Sequence, residues 1–307
     1  MTAISRAKRQ GASCRNAFVA LFLTIGLLFA GAAPASAAQI YYLGIGNEGF
    51  QADVTSAANT WGNYATLPAS IATYYDKTGP DIVSLLNLYK NTLVAGDTLF
   101  FHYSGHGGGG IADAAPLDEG NGGNNGTEGV IGMSNNPYDS GVFSPFNPLR
   151  AARDDAIAAE LNGFAASVAV IAIFDNCFAG EMVDGTSDIS RGLIIGTSDA
   201  DNCAQGNSLF MPYFNDAFSI LNGKFKADSN MDGLLTVGEL WGHLDDIHGV
   251  MNGQGGTAFA LNFNEPANHL NYTIAQVVPL PPAIWGFVGA VMVLTWLRRK
   301  VAPVGAT

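Results

Sequence analysis

Apolar positions in this chain gather in short continuous runs that close on Gly, Asp, Asn or Ser. The central run is Val168–Phe174, VAVIAIF, and it stops at Asp175 and Asn176. Seven apolar residues bounded by turn-formers fit a strand buried on both faces of a parallel sheet. A second run, Thr98–Tyr103, leads into Ser104, Gly105, His106 and Gly107, and further runs at Ile40–Gly46, Ala69–Tyr75 and Arg191–Gly196 also read as strands. Helical patterns alternate with them at Gln51–Tyr64, Pro80–Leu93, Asp154–Gly163, Phe210–Asn222 and Val237–Ile247. In the second of these, Ile82, Leu85, Leu86, Tyr89 and Leu93 recur at helical spacing. Strand–helix alternation of this kind predicts an α/β fold with a mostly parallel sheet flanked by helices. The stretch Gly107–Pro148 is rich in Gly and Asn, contains GNGGNNG at Gly120–Gly126, and shows no sustained period. It reads as a long surface insertion.

Cys177 follows the central run directly, and a cysteine there sits where open α/β sheets form their ligand crevices. If the strands ending in His106 and Cys177 are parallel neighbours, imidazole and thiol meet at one sheet edge. A thiol attacks a carbonyl as thiolate, and a nearby imidazole lowers its pKa and later protonates the leaving amine. The backbone N–H groups of Gly107 and Cys177 are candidate donors to the oxyanion. Asp175, two residues before the cysteine, either pairs with a guanidinium of a substrate or caps the following turn. Asp199 and Asp201 follow the next strand and either line the same cleft or serve a turn. His102 reads as core or solvent-facing, and His243 and His248 receive no role.

The chain ends change the picture. Arg6, Lys8, Arg9 and Arg15 precede an apolar run, Phe18–Ala30, and Ala35-Ser36-Ala37 supplies a cleavage site. That is the pattern of a secretory signal peptide over residues 1–37. Near the other end, Pro279–Leu297 is apolar over 19 residues and is followed by Arg298, Arg299 and Lys300, which fits a spanning helix with a cytoplasmic basic flank. Seven of the 14 basic residues lie in these terminal segments and all 26 acidic residues lie between them, so the processed chain carries 7 − 26 = −19. So acidic an exported domain argues against nucleic acid as a partner and suits basic substrates or divalent cations. Export leaves Cys177 and Cys203 in an oxidising compartment that permits a disulfide. Such a bridge would consume the thiol, so three readings stand: a free nucleophile, which we expect, a structural disulfide on an inactive scaffold, or reversible oxidation.

One further motif stands in the C-terminal third: Asp228–Glu239, DSNMDGLLTVGE. Oxygen-bearing residues fall at loop positions 1, 3 and 5 (Asp228, Asn230, Asp232). Gly233 stands at 6, the Leu234 carbonyl at 7, Thr236 at 9 and Glu239 at 12. This is the ligand spacing of an EF-hand calcium loop, with Leu235 as the apolar residue at 8. Helical patterns on both sides complete the expectation, and Ca²⁺ is the implied cofactor.

HYSGHGG together with IFDNCFAG resembles the caspase–haemoglobinase superfamily of cysteine peptidases, over about Ile40 to Phe218. SGHGG is the more caspase-like part, whereas Phe50–Val54, FQADV, and Cys177–Met182 are more legumain-like. The His-to-Cys separation of 71 residues (177 − 106) exceeds that of most relatives and reflects the insertion, and Phe178 stands where many bacterial relatives carry His or Tyr. The resemblance implies a caspase–haemoglobinase-like domain over residues 38–275, with an endopeptidase dyad of Cys177 and His106 acting on peptide or protein substrates. It also implies Asp175 as the carboxylate that selects Arg or Lys, although legumains carry an acid here and prefer Asn. VPLPPAIW, Val278–Trp285, with the apolar stretch and RRK, resembles a PEP-CTERM-type sorting signal. That implies a transient inner-membrane anchor, a membrane sorting enzyme as partner, and delivery to the cell surface or extracellular matrix of a Gram-negative bacterium. A non-catalytic calcium-binding surface protein on the same scaffold is the alternative.

Overall fold

In chain order the elements are β1 (Ile40–Gly46), α1 (Gln51–Tyr64), β2 (Ala69–Tyr75), α2 (Gly79–Lys90), β3 (Thr98–Ser104), β4 (Gly107–Ala112), β5 (Thr127–Gly132) and β6 (Ala151–Arg153). They continue with α3 (Asp154–Asn162), β7 (Ala169–Asp175), β8 (Leu193–Gly196), α4 (Phe210–Ala217), β9 (Ile220–Leu221), β10 (Lys224–Phe225), β11 (Leu234–Thr236), a helix α5 over 237–244, and β12 (Thr273–Gln276). This computed structural model describes residues 39–64, 69–112, 127–136, 142–182, 189, 192–198, 210–244, 271 and 273–277. The apolar terminal stretches Phe18–Ala30 and Pro279–Leu297 lie outside them. Among the described residues no helix is long and apolar enough to cross a membrane.

Five strands form one parallel sheet in the order β2-β1-β3-β7-β8. Successive side chains of a strand point to opposite faces, and both faces are covered. On one face Tyr42, Phe100, Ile171, Ile173, Leu193 and Ile195 pack with Trp61 of α1, Phe210 and Phe214 of α4, and Leu240 and Leu244 of α5. On the other, Leu43, Ile45, Leu99, Phe101, Val170 and Ala172 pack with Ile82 and Leu86 of α2 and Ile157 and Leu161 of α3. Burial on both faces is why the central strands read as unbroken apolar runs instead of alternating ones. The sheet edge β2 is more exposed, in keeping with its mixed ASIATYY sequence.

Local chemistry sets the helix ends. Thr78 caps α2 in a capping box with Asp81, and Pro80 stands in the first turn, where its missing N–H costs nothing. Two expectations need correction. The stretch after His106 is not simply an insertion without structure, because β5 pairs antiparallel with β4 on one side and β6 on the other in a three-stranded sheet. A glycine run such as Gly107–Gly110 has no side-chain alternation to betray a strand. The helix that begins at Phe210 stops at Ala217, not Asn222. Asn222 and Gly223 both adopt positive φ, +55° and +79°, and close the hairpin β9–β10, as an Asn-Gly pair does in a two-residue loop.

Trp61 anchors the α1 face. It is fully buried, with its ring 4.6 Å from Phe100 and 5.4 Å from Phe218. Trp61→Ala should destabilise the domain by about 3–5 kcal/mol in denaturant unfolding. A loss under about 1 kcal/mol would show that this face is not the core described.

Candidate active site

Two parallel strands end side by side. β3 and β7 pair in register through Ser104 and Asp175, and Gly105 N–H extends the ladder to the Asp175 carbonyl at 3.2 Å. His106 and Cys177 each stand two residues beyond that last pair, so the register brings them level at the carboxyl edge of the sheet. The main chains touch there. A Cβ on Gly107 would lie 2.0 Å from the Cys177 carbonyl oxygen and 2.3 Å from Asn176 Nδ2. Only glycine lets the two loops close to this distance.

Each loop is held by its own contacts. The His106 carbonyl accepts from the Tyr103 hydroxyl at 2.7 Å, and that hydroxyl accepts from Gly132 N–H at 3.1 Å. Burial pushes the Tyr103 phenol far above its ordinary range, so it stays protonated and able to donate. The half-buried His106 ring meets Phe50 edge-to-face, with centroids 5.3 Å apart. Asn47 N–H donates to the Ser104 carbonyl, and Ser104 Oγ donates to Asp53 at 3.0 Å. Burial raises the pKa of Asp53, and the Ser104 hydrogen bond opposes that shift.

On the other strand, Asp175 is 4% exposed and its Oδ1 accepts from the Thr197 hydroxyl at 2.8 Å. The carboxylate thus lies well below the surface. Asn176 Nδ2 donates to the Cys177 carbonyl at 2.7 Å, and Ser198 Oγ bridges the Asn176 carbonyl and Ala179 N–H. Phe178 adopts φ +58°, and its ring lies against Gly109. Cys177 is disulfide-bonded, which differs from the free thiol we expected. The remaining cysteines, Cys14 and Cys203, lie outside the described residues, as do Asp199, Asp201 and His248.

Sequence reasoning missed Asn47, Tyr103, Thr197 and Ser198. Asn47, Thr197 and Ser198 follow β1 and β8 at the same edge, so the strand assignment itself carried a signal for them. Tyr103 gave none, because its hydroxyl acts across a tertiary contact with β5.

His102 points into the core. It is fully buried, and its Nδ1 lies 2.9 Å from the Tyr42 hydroxyl. His243 lies 3.6 Å from Asp216, which also pairs with Lys226.

The segment Asp228–Glu239 forms a tight loop without an entering helix, since the hairpin β9–β10 precedes it. This corrects the expectation of helices on both sides. Only the exiting helix, α5, is present. Asp228 accepts from the N–H groups of Met231, Asp232 and Gly233, Asn230 from that of Asp232, and Asp232 from that of Leu234. Gly233 has φ +83°, the turn expected at position 6. Glu239 accepts from Thr236 N–H and hydroxyl and from Asn230 N–H. β11 within the loop pairs antiparallel with β12, and Leu235 is buried. A cavity of about 530 Å³ opens beside it, lined by Lys226, Ser229, Asn230, Thr236, Glu239 and His243. The donor set is all oxygen, the ligand type that Ca²⁺ takes. As arranged, the carboxylates serve backbone N–H groups, and among the described residues no three acidic, His or Cys side chains converge to hold a metal.

No family model matches the chain, and no curated protein matches it. Among solved structures the fold is similar to that of protein GSU0716 from Geobacter sulfurreducens, at 14% identity and a TM-score of 0.52, covering 78% of this chain and 100% of that one. At that identity the likeness concerns the fold alone.

Burial holds the His102 pKa down to about 3, against 6.5 for an ordinary histidine. Between these values the unfolded chain takes up a proton that the folded chain refuses. The neutral ring's contribution is therefore fully present above about pH 6.5 and is lost as pH falls towards 3. His102→Phe should remove this share of the acid sensitivity, seen as a shallower fall of unfolding free energy between pH 6.5 and 4. Parallel curves for the two proteins would contradict a buried neutral His102.

Proposed function

We propose that the chain is an exported cysteine endopeptidase of caspase-like type, with Cys177 as nucleophile and His106 as general acid and base. The observation that carries this reading is the contact at Gly107, which packs directly on the Cys177 carbonyl where two register-paired strands end. The disulfide at Cys177 must first be opened by an added dithiol reductant, whose two thiols are oxidised to a disulfide while Cys177 and its partner cysteine are released as thiols. The Cys177 thiol then passes its proton to His106, and the thiolate adds to the substrate carbonyl. The oxyanion is met by the N–H groups of Gly107 and Cys177. His106 returns the proton to the leaving amine, and water hydrolyses the acyl-enzyme. Asp175, oriented by Thr197, is the carboxylate we assign to a basic side chain of the substrate.

The termini support export through a signal peptide and delivery to the surface or extracellular matrix by a membrane sorting enzyme, after a transient anchor. Asp228, Asn230, Asp232, the Leu234 carbonyl, Thr236 and Glu239 are the residues we assign to Ca²⁺. The ion would supply positive charge that cross-links the loop. A second reading, a non-catalytic calcium-binding surface protein, is favoured by one observation, the disulfide at Cys177.

Fully reduced full-length protein should hydrolyse a peptide library after Arg or Lys. Cys177→Ala and His106→Ala should each lose about 10³-fold or more in kcat, with unchanged circular dichroism. A profile dominated by Asn would favour a legumain-like specificity. Absence of any hydrolysis by the reduced protein would favour the non-catalytic reading.

Calcium is tested separately. Because Ca²⁺ binds only the folded loop, excess ion should raise the melting temperature above its value in chelator. Glu239→Ala should abolish most of that difference. Superimposable melting curves for the unmodified protein in both conditions would remove Ca²⁺ from the account.

A further inference from the structure

We propose that Ser198 is a positioning residue for the Cys177 turn, fixing the peptide plane that presents the Cys177 N–H to the oxyanion. This rests on the peptidase reading above. The carbonyls of β7 and the turn after it alternate in direction. That of Phe174 accepts from Thr197 N–H on the β8 side, and that of Asp175 from Gly105 N–H on the β3 side. That of Asn176 turns back to the β8 side, where it accepts from Ser198 Oγ at 2.9 Å. The Cys177 carbonyl again faces the β3 side, where it meets Gly107 and Asn176 Nδ2. The Ser198 hydroxyl thus acts where the ladder of β8 has ended and, among the described residues, no backbone N–H serves the Asn176 carbonyl.

In a trans peptide the C=O and N–H point in opposite directions. Holding the Asn176 carbonyl towards β8 therefore turns the Cys177 N–H towards β3 and the His106 loop. That is the side on which Gly107 packs against the Cys177 carbonyl. Ser198 is 5% exposed, and the same hydroxyl accepts from Ala179 N–H at 2.8 Å. Its proton and a lone pair are spent on backbone groups on either side of Cys177. A hydroxyl supplies both roles at once, which alanine cannot do.

The test uses reduced full-length protein and three readouts: peptide hydrolysis, inhibition by a peptide aldehyde, and alkylation of Cys177 by iodoacetamide. The aldehyde adduct develops an oxyanion-like oxygen, whereas alkylation needs only the thiolate. Ser198→Ala should lower kcat about 10-fold or more with little change in KM. It should weaken the aldehyde by a similar factor and leave the alkylation rate unchanged. Ser198→Thr, which keeps the hydroxyl, should restore most of the lost kcat. If Ser198→Ala does not fold, Ser198→Gly is read by the same three measurements. Wild-type kcat and aldehyde affinity in the variant would overturn the proposal, as would an equal fall in hydrolysis and alkylation. If the unmodified reduced protein neither hydrolyses peptides nor binds the aldehyde, the peptidase reading fails and this inference with it. An active unmodified protein with an indifferent Ser198→Ala variant defeats the inference alone.

Discussion

The parallel ladder between β3 and β7 is the constraint on which the site depends. Its last pair, Ser104 with Asp175, and the added bond from Gly105 N–H to the Asp175 carbonyl set where each strand lets go of the sheet. A slip of one residue would separate His106 from Cys177 along the strand and turn each apolar side chain to the opposite face. The two packed faces forbid that slip, because Phe100 and Phe101, or Ile171 and Ala172, belong to different cores. The geometry of the edge is therefore purchased by burial far from it, while the edge itself is polar and closely hydrogen-bonded.

Much of this was legible in the chain. The runs VAVIAIF and TLFFHY pointed to buried parallel strands because burial on both faces erases alternation. The packing of the Cys177 carbonyl on Gly107 carried no signal in the sequence beyond the glycine itself. What escaped were features with no periodic signal. The glycine strand β4 pairs through backbone alone. Tyr103 reaches Gly132 across the fold, and Ser198 acts on a carbonyl distant in sequence. The Asn222-Gly223 hairpin had a clear local signal that a helical apolar pattern at Phe210, Met211, Phe214 and Phe218 obscured. The sharp turn at Gly233 was readable from the spacing of Asp228–Glu239. The missing entering helix of that loop follows from that same hairpin, which takes up the residues such a helix would need.

A disulfide and a hydrogen-bonded loop lie on different sides of the sheet edge. The disulfide at Cys177 occupies its sulfur, and Gly107, Asn176 and Ser198 hold the backbone around it. The loop Asp228–Glu239 ties β11 to β12, and Leu235, Ile274 and Ala275 join the core beneath α1 and α4.

The central claim is that His106 and the reduced Cys177 act as a pair at the sheet edge. The most direct measurement is the pH dependence of Cys177 alkylation by iodoacetamide in reduced full-length protein and in His106→Gln. A paired imidazole keeps the thiolate populated below the ordinary thiol range of about 8.5. The unmodified protein should therefore react with a midpoint clearly below that value, and His106→Gln should move it back up. Identical profiles centred near the ordinary thiol value in both proteins would contradict the pairing.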